Sequence, residues 1–187
     1  EWLLSSVCDD FNRMCDMRTM KRLIFLSSEN FVVLDDDGTV NWTWLPKGRL
    51  QSLLRGRGKG LTNKVKTLSI CCGGDFYYVE FMDGKKYWEW PYVIEKQSID
   101  PDDIEDIVMG QCDHGVLYII KKTDGTYIEN LSDYYVDEKW FDIYYEELEF
   151  YTLGPQGQYY LLGQNDRHVE SWLPVGPYKK FKTLWRN

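Results

Sequence analysis

Several short stretches of this chain carry residue types that do chemistry. "QCDHGV", residues 111 to 116, sets a thiol, a carboxyl and an imidazole side by side at Cys112, Asp113 and His114. These are the types of a nucleophile, an orienting acid and a base. Catalytic partners meet in space and not through adjacency, so the stretch reads as a polar turn between strands. "GRGKG", residues 56 to 60, is glycine-rich and cationic, so its backbone could approach an anion closely. It is not a Walker loop, because Leu53 stands where the upstream glycine belongs and Gly60 replaces the hydroxyl residue that would hold magnesium. Leu61 breaks the dinucleotide fingerprint in the same way. The run Asp35-Asp36-Asp37 before Gly38 has the charge of a calcium loop without its spacing: Val33 occupies the first ligand place and Trp44 the last. Only two histidines, His114 and His168, and no Cys-x-x-Cys pair leave zinc without a local ligand set. Carboxylate pairs of the glycosidase kind carry no signature among 30 acids. The adjacent Cys71 and Cys72 end the apolar strand VKTLSI, and strict alternation would turn one thiol inward and the other outward. No catalytic residue, metal site or cofactor is expected.

The elements that must position these residues repeat along the chain. Four segments align: "FVVLDDDGTVNWTWLP" from Phe31, "FYYVEFMDGKKYWEWP" from Phe76, "VLYIIKKTDGTYIENL" from Val116 and "YYLLGQNDRHVESWLP" from Tyr159. Their turn aspartates, Asp37, Asp83, Asp124 and Asp166, are spaced by 46, 41 and 42 residues. Each segment follows an apolar strand with a charged second residue, "MKRLIFL", "VKTLSIC", "IEDIVMG" or "LEFYTLG". The unit therefore predicts strand, tight turn, strand, Asp-Gly turn, strand. Asp-Gly between apolar runs is a hairpin signal, since glycine supplies the positive φ that a twisted two-residue turn demands. Trp44, Trp90 and Trp172, with Leu131 in the corresponding place, are expected to anchor the third strand against the next unit. In the connectors, "GRLQSLLRG" and "EKWFDIYYEE" space their apolar residues as short helices do, whereas "PYVIEKQSIDPDD" could be a helix or a fourth, outer strand.

Units of this length, each a β-meander with an Asp-Gly turn and a tryptophan, resemble β-propeller blades. The resemblance is to the architecture, because the Gly-His and Trp-Asp pair of WD-repeat blades and the double glycine of kelch blades are both missing. It implies one all-β domain of tandem antiparallel meanders with short connector helices across residues 1–187. Repeats span about 20–64, 65–103, 104–147 and 148–180, with partial units at 1–19 and 181–187 that would complete a split fifth unit or mark a piece of a longer array. Such architectures host binding modules and enzymes alike.

Composition fits this reading: aromatic residues make up 16% of the chain, and alanine, the best helix former, is absent. The net charge of −8 hides a reversal. Residues 47 to 66 hold seven Lys or Arg and no acid, which leaves −15 on the remainder. An acidic whole speaks against non-specific nucleic-acid binding. No stretch approaches the roughly 18 apolar residues of a membrane span, and no signal-like apolar core opens the chain. Five cysteines without framework spacing suggest reduced thiols in the cytoplasm or nucleus. Two glycosylation sequons, at Asn41 and Asn130, keep secretion open, although such a pattern arises about once by chance in this length.

The expected function is non-catalytic binding of a protein partner, acidic in character, through rim loops. Arg49, Arg55, Arg57, Lys59 and Lys64 would make the leading contact. The alternative is a lectin-like module in which Trp42 and Trp88 stack on sugar rings.

Overall fold

The computed structural model describes residues 20–27, 30–55, 64–112, 115–130, 148–153, 159–163 and 168–170. These fold as four three-stranded antiparallel sheets with little helix, and the protein is all-β. The first sheet holds β1 (Met20–Phe25), β2 (Phe31–Asp35) and β3 (Val40–Trp42). The second holds β4 (Val65–Cys71), β5 (Phe76–Phe81) and β6 (Lys86–Glu89). The third holds β7 (Ile104–Cys112), β8 (Gly115–Lys122) and β9 (Tyr127–Glu129), and the fourth β10 (Leu148–Leu153), β11 (Tyr159–Gly163) and β12 (His168–Glu170). The middle strand of each sheet is the second in sequence, as a meander requires. Helix α1 (Arg49–Arg55) buries Leu50 and Leu54, one turn apart on one face. The ambiguous segment after Trp90 is helical and not a fourth strand: α2 (Tyr92–Glu95) follows Pro91, and a short 3-10 turn (Pro101–Asp103) is capped by Asp100, whose carboxylate accepts from the Asp102 amide at 2.9 Å. The expected helix in "EKWFDIYYEE", the terminal partial units and the turn at Asp166 lie outside the described residues.

The Asp-Gly turns share one geometry. In the first, the Gly38 amide donates to Asp35 O at 2.9 Å and the Asp35 amide to Thr39 O at 2.9 Å. The loop thus has three residues with glycine last, at a φ of 81°, where a two-residue turn was expected. Gly84 and Gly125 repeat it at 82° and 84°. Aspartate precedes glycine because its carboxylate closes the loop: Asp37, Asp83 and Asp124 accept from the amides of Thr39, Lys85 and Thr126 at 2.8, 3.1 and 2.9 Å.

The charged second residue of each first strand also has a structural reason. Pairing of first with second strand slips at the same place in every sheet, between Met20 and Arg22, Val65 and Thr67, Ile104 and Asp106, and Leu148 and Phe150. Lys21, Lys66, Glu105 and Glu149 are therefore the extra residues of four β-bulges. The first three side chains are exposed.

The sheets pack face against face. One core joins the first two sheets through Ile24, Val32, Leu34, Leu68, Ile70 and Val79, with Leu50 and Leu54 of α1. Another joins the second and third through Tyr78, Ile94, Ile107, Met109, Tyr118 and Ile120. The second sheet is thus covered on both faces, and its first two strands are buried along nearly their whole length where a half-solvated sheet would alternate. The first strands meet one another: β4 adjoins β1 and β7, and β10 adjoins β7 and β1. Where they converge, Arg22 is only 7% exposed. Its guanidinium donates to Leu68 O of β4 at 3.2 Å, to Ile107 O of β7 at 2.7 Å and to the carboxylate of Asp106. A second tie runs from the Met109 amide to Ser69 Oγ at 2.8 Å.

Candidate functional site

The basic connector begins where β3 ends. Trp44, expected to anchor the third strand, is instead 53% exposed, while its counterpart Trp90 stacks on the buried Tyr78 with ring centroids 5.7 Å apart. The difference arises because the chain turns at Leu45 and Pro46 into α1, so that Leu45, not Trp44, enters the core. Trp172 and Leu131 lie outside the described residues.

Beyond Trp44, the connector forms one wall of a cleft of about 400 Å³. Leu45 to Leu50 face Gly74 to Tyr77 of the β4–β5 turn, with Glu89 of β6 beside them. Gly74 lies so close to Pro46 that a Cβ there would meet the proline ring at 2.8 Å. Lys47 and Arg49 lie on the connector wall, and Asp75 and Glu89 belong to the other sheet. None of the four has an ion-pair partner among the described residues. Tyr77 is buried and its hydroxyl has no hydrogen-bond partner among the described residues. Burial pushes its phenol above the usual range, Arg49 pulls the other way, and Glu89 adds to the rise.

The expected contact residues are thus divided. Arg49 opens α1 and lines the cleft, and Arg55 closes α1, exposed. Arg57, Lys59 and the rest of "GRGKG" lie outside the described residues. Lys64 has a structural partner: its Nζ bonds Asp37 Oδ2 and Thr39 Oγ1, both at 2.6 Å, clipping the first sheet's turn to the second sheet. That ammonium, with two hydrogen bonds from Thr39, lowers Asp37 to about 2. Trp42 packs against the first core, whereas Trp88 is 40% exposed and stacks on Trp90 at 6.4 Å.

The remaining candidates resolve briefly. Asn130 of the second sequon is 3% exposed, accepts from the Tyr118 amide at 2.8 Å and donates to Val116 O at 2.9 Å, which takes both ends of its amide away from glycan transfer. Asn41 is half-buried, its amide 3.3 Å from Asp35 Oδ2. Asp113 and His114 lie outside the described residues, as do the side chains of Cys112 and His168. Among the described residues no three His, Cys, Asp or Glu cluster as metal ligands would, and no helix is long and apolar enough to cross a membrane. The cleft missed in the sequence has no motif, because its two walls come from different sheets.

No protein-family model and no curated protein sequence matches this chain. A solved structure, selenomethionine-substituted virginiamycin B lyase from Staphylococcus aureus, aligns with a TM-score of 0.25 and 8% identity over 83% of this chain. The aligned part spans 56% of the lyase chain, and likeness at this level carries no argument about fold or activity.

Proposed function

We propose that the protein is a non-catalytic binding or scaffold module of propeller-like architecture, recognising a protein partner with an acidic surface through loops on one rim. The neighbour relations of β1, β4, β7 and β10 support the architecture, since they run from each sheet to the next and back to the first.

One observation carries the binding reading. The exposed Trp44 leads directly into Lys47, Arg49 and Arg55, cations without an ion-pair partner among the described residues. Tryptophan and arginine contribute most of the energy at many protein interfaces. The carbohydrate reading finds its support in Trp88, exposed and held in place by Trp90. The compartment that goes with the first reading is cytoplasmic or nuclear, and the burial of Asn130 takes one of the two sequons out of the case for secretion.

Affinity capture on the native chain, washed with graded salt and compared with the Arg49→Glu/Arg55→Glu/Arg57→Glu/Lys59→Glu chain, tests the proposal. A protein retained by the first and lost by the second, then shown to bind directly when purified, is the expected result. Equal retention would remove the connector from the contact. Release by free sugars, together with loss on Trp88→Ala, would favour the lectin reading.

A further inference from the structure

The vicinal thiols play no part in the binding reading. β4 runs extended to Cys71, at φ −142° and ψ 176°, and then turns abruptly, with φ of 52° at Cys72, 68° at Gly73 and 107° at Gly74. A left-handed conformation is costly for a residue with a Cβ, so Cys72 is held there by what surrounds it. The step changes where the side chains go. Alternation would send the two thiols to opposite faces, yet both belong to the cluster between the second and third sheets, Cys71 buried within it and Cys72 half-buried at its edge. The neighbouring Cys71 thiol lowers Cys72 below the usual thiol range, and Cys72, together with burial, raises Cys71 above it.

We propose that Cys71 and Cys72 form a vicinal dithiol modification site, closed reversibly to an intramolecular disulfide by small-molecule disulfides of the glutathione class. Cys72, the more exposed, loses its proton to solvent and its thiolate attacks one sulfur of the small disulfide. The sulfur–sulfur bond breaks, one small thiolate leaves, and a mixed disulfide remains on Cys72. Cys71 then attacks the Cys72 sulfur, displacing the second small thiolate, which takes up the Cys71 proton. Two protein thiols are oxidised and one small disulfide is reduced to two thiols. Adjacent Cα atoms lie about 3.8 Å apart, below the roughly 4.4–6.8 Å of ordinary disulfides, so the ring is strained and readily reopened. Gly74, Asp75 and Phe76, which follow Cys72 after Gly73, line the cleft, so this pair lies two residues before its wall in the chain.

The test uses the whole 187-residue chain, reduced, exposed to oxidised glutathione, alkylated under denaturing conditions and mapped by peptide mass. The peptide holding Cys71 and Cys72 should be lighter by two hydrogens, unalkylated at both positions and restored by dithiothreitol; Cys72→Ser should abolish the closed form. A trivalent arsenical, which bridges paired thiols, should protect the same peptide from alkylation in the native chain, a readout independent of how the variant folds. Alkylation of both cysteines after either treatment, or oxidation that stops at a mixed disulfide or joins Cys72 to another cysteine, would overturn the proposal.

Discussion

Gly38 does work that Gly84, its counterpart in the second sheet, does not. Both occupy the left-handed position of a three-residue loop, where any other L-residue is strained. At Gly84 an added Cβ would meet nothing within 4 Å, but at Gly38 it would lie 2.7 Å from Val65 O, because the Val65 amide donates to Gly38 O at 2.8 Å. Gly84→Ala is therefore expected to lower stability by about 1 kcal/mol through backbone strain alone. Gly38→Ala adds a backbone clash between sheets and should lower it by about 3 kcal/mol. Equilibrium urea unfolding of the two variants checks this, and equal losses would mean that the approach of the sheets is relaxed at little cost.

At the scale of the element, the third strands are short, and side chains prolong their pairing. After β3, Thr43 Oγ1 accepts from the Phe31 amide at 3.0 Å while the Thr43 amide donates to Phe31 O at 3.1 Å. After β9, the Asn130 side chain takes the Tyr118 amide and Val116 O, backbone groups of β8. Asn130→Ala would strand a buried donor and a buried acceptor, and each unsatisfied group costs about 1–3 kcal/mol. Thermal unfolding should show a loss of about 3 kcal/mol. A change under 1 kcal/mol would mean that water replaces the amide. The bulge residues belong to this scale too: they recur along the chain as a charge at the second place of each first strand, and the register slip explains it, since an extra residue in a pair points away from the core.

Across the whole molecule, Arg22 is the residue on which three sheets converge. It lies just after the bulge at Lys21, where Thr67 and Asp106 stand in the second and third sheets. Replacing it with methionine keeps the volume but leaves the Asp106 carboxylate without this partner and removes two bonds to backbone carbonyls. Asp106 retains some access to water, which sets the expected loss at the lower end for a buried pair, about 3 kcal/mol. Denaturant unfolding of Arg22→Met, beside Lys85→Ala in a solvent-exposed pair of little weight, measures it. Similar small losses for both would show that the convergence of the first strands does not depend on the guanidinium.

Local pattern alone determined the all-β class, the strand order, the α1 helix and the place of each Asp-Gly turn, because hairpins and single helical turns are built from residues close in the chain. Tertiary structure decided what depends on a second segment arriving. Trp44 and Trp90 occupy matching places in the repeat, yet only the chain that follows makes one exposed and the other a stacking partner of Tyr78. Lys64 and Arg49 belong to one basic stretch, but the neighbouring turn takes Lys64 into an ion pair and the cleft leaves Arg49 without one among the described residues. Cys71 and Cys72 read as opposite-facing until a left-handed step sends both thiols to one cluster. Periodicity registers which face a side chain takes only while the backbone stays regular, and charge in sequence does not record which counter-charge the fold brings to it.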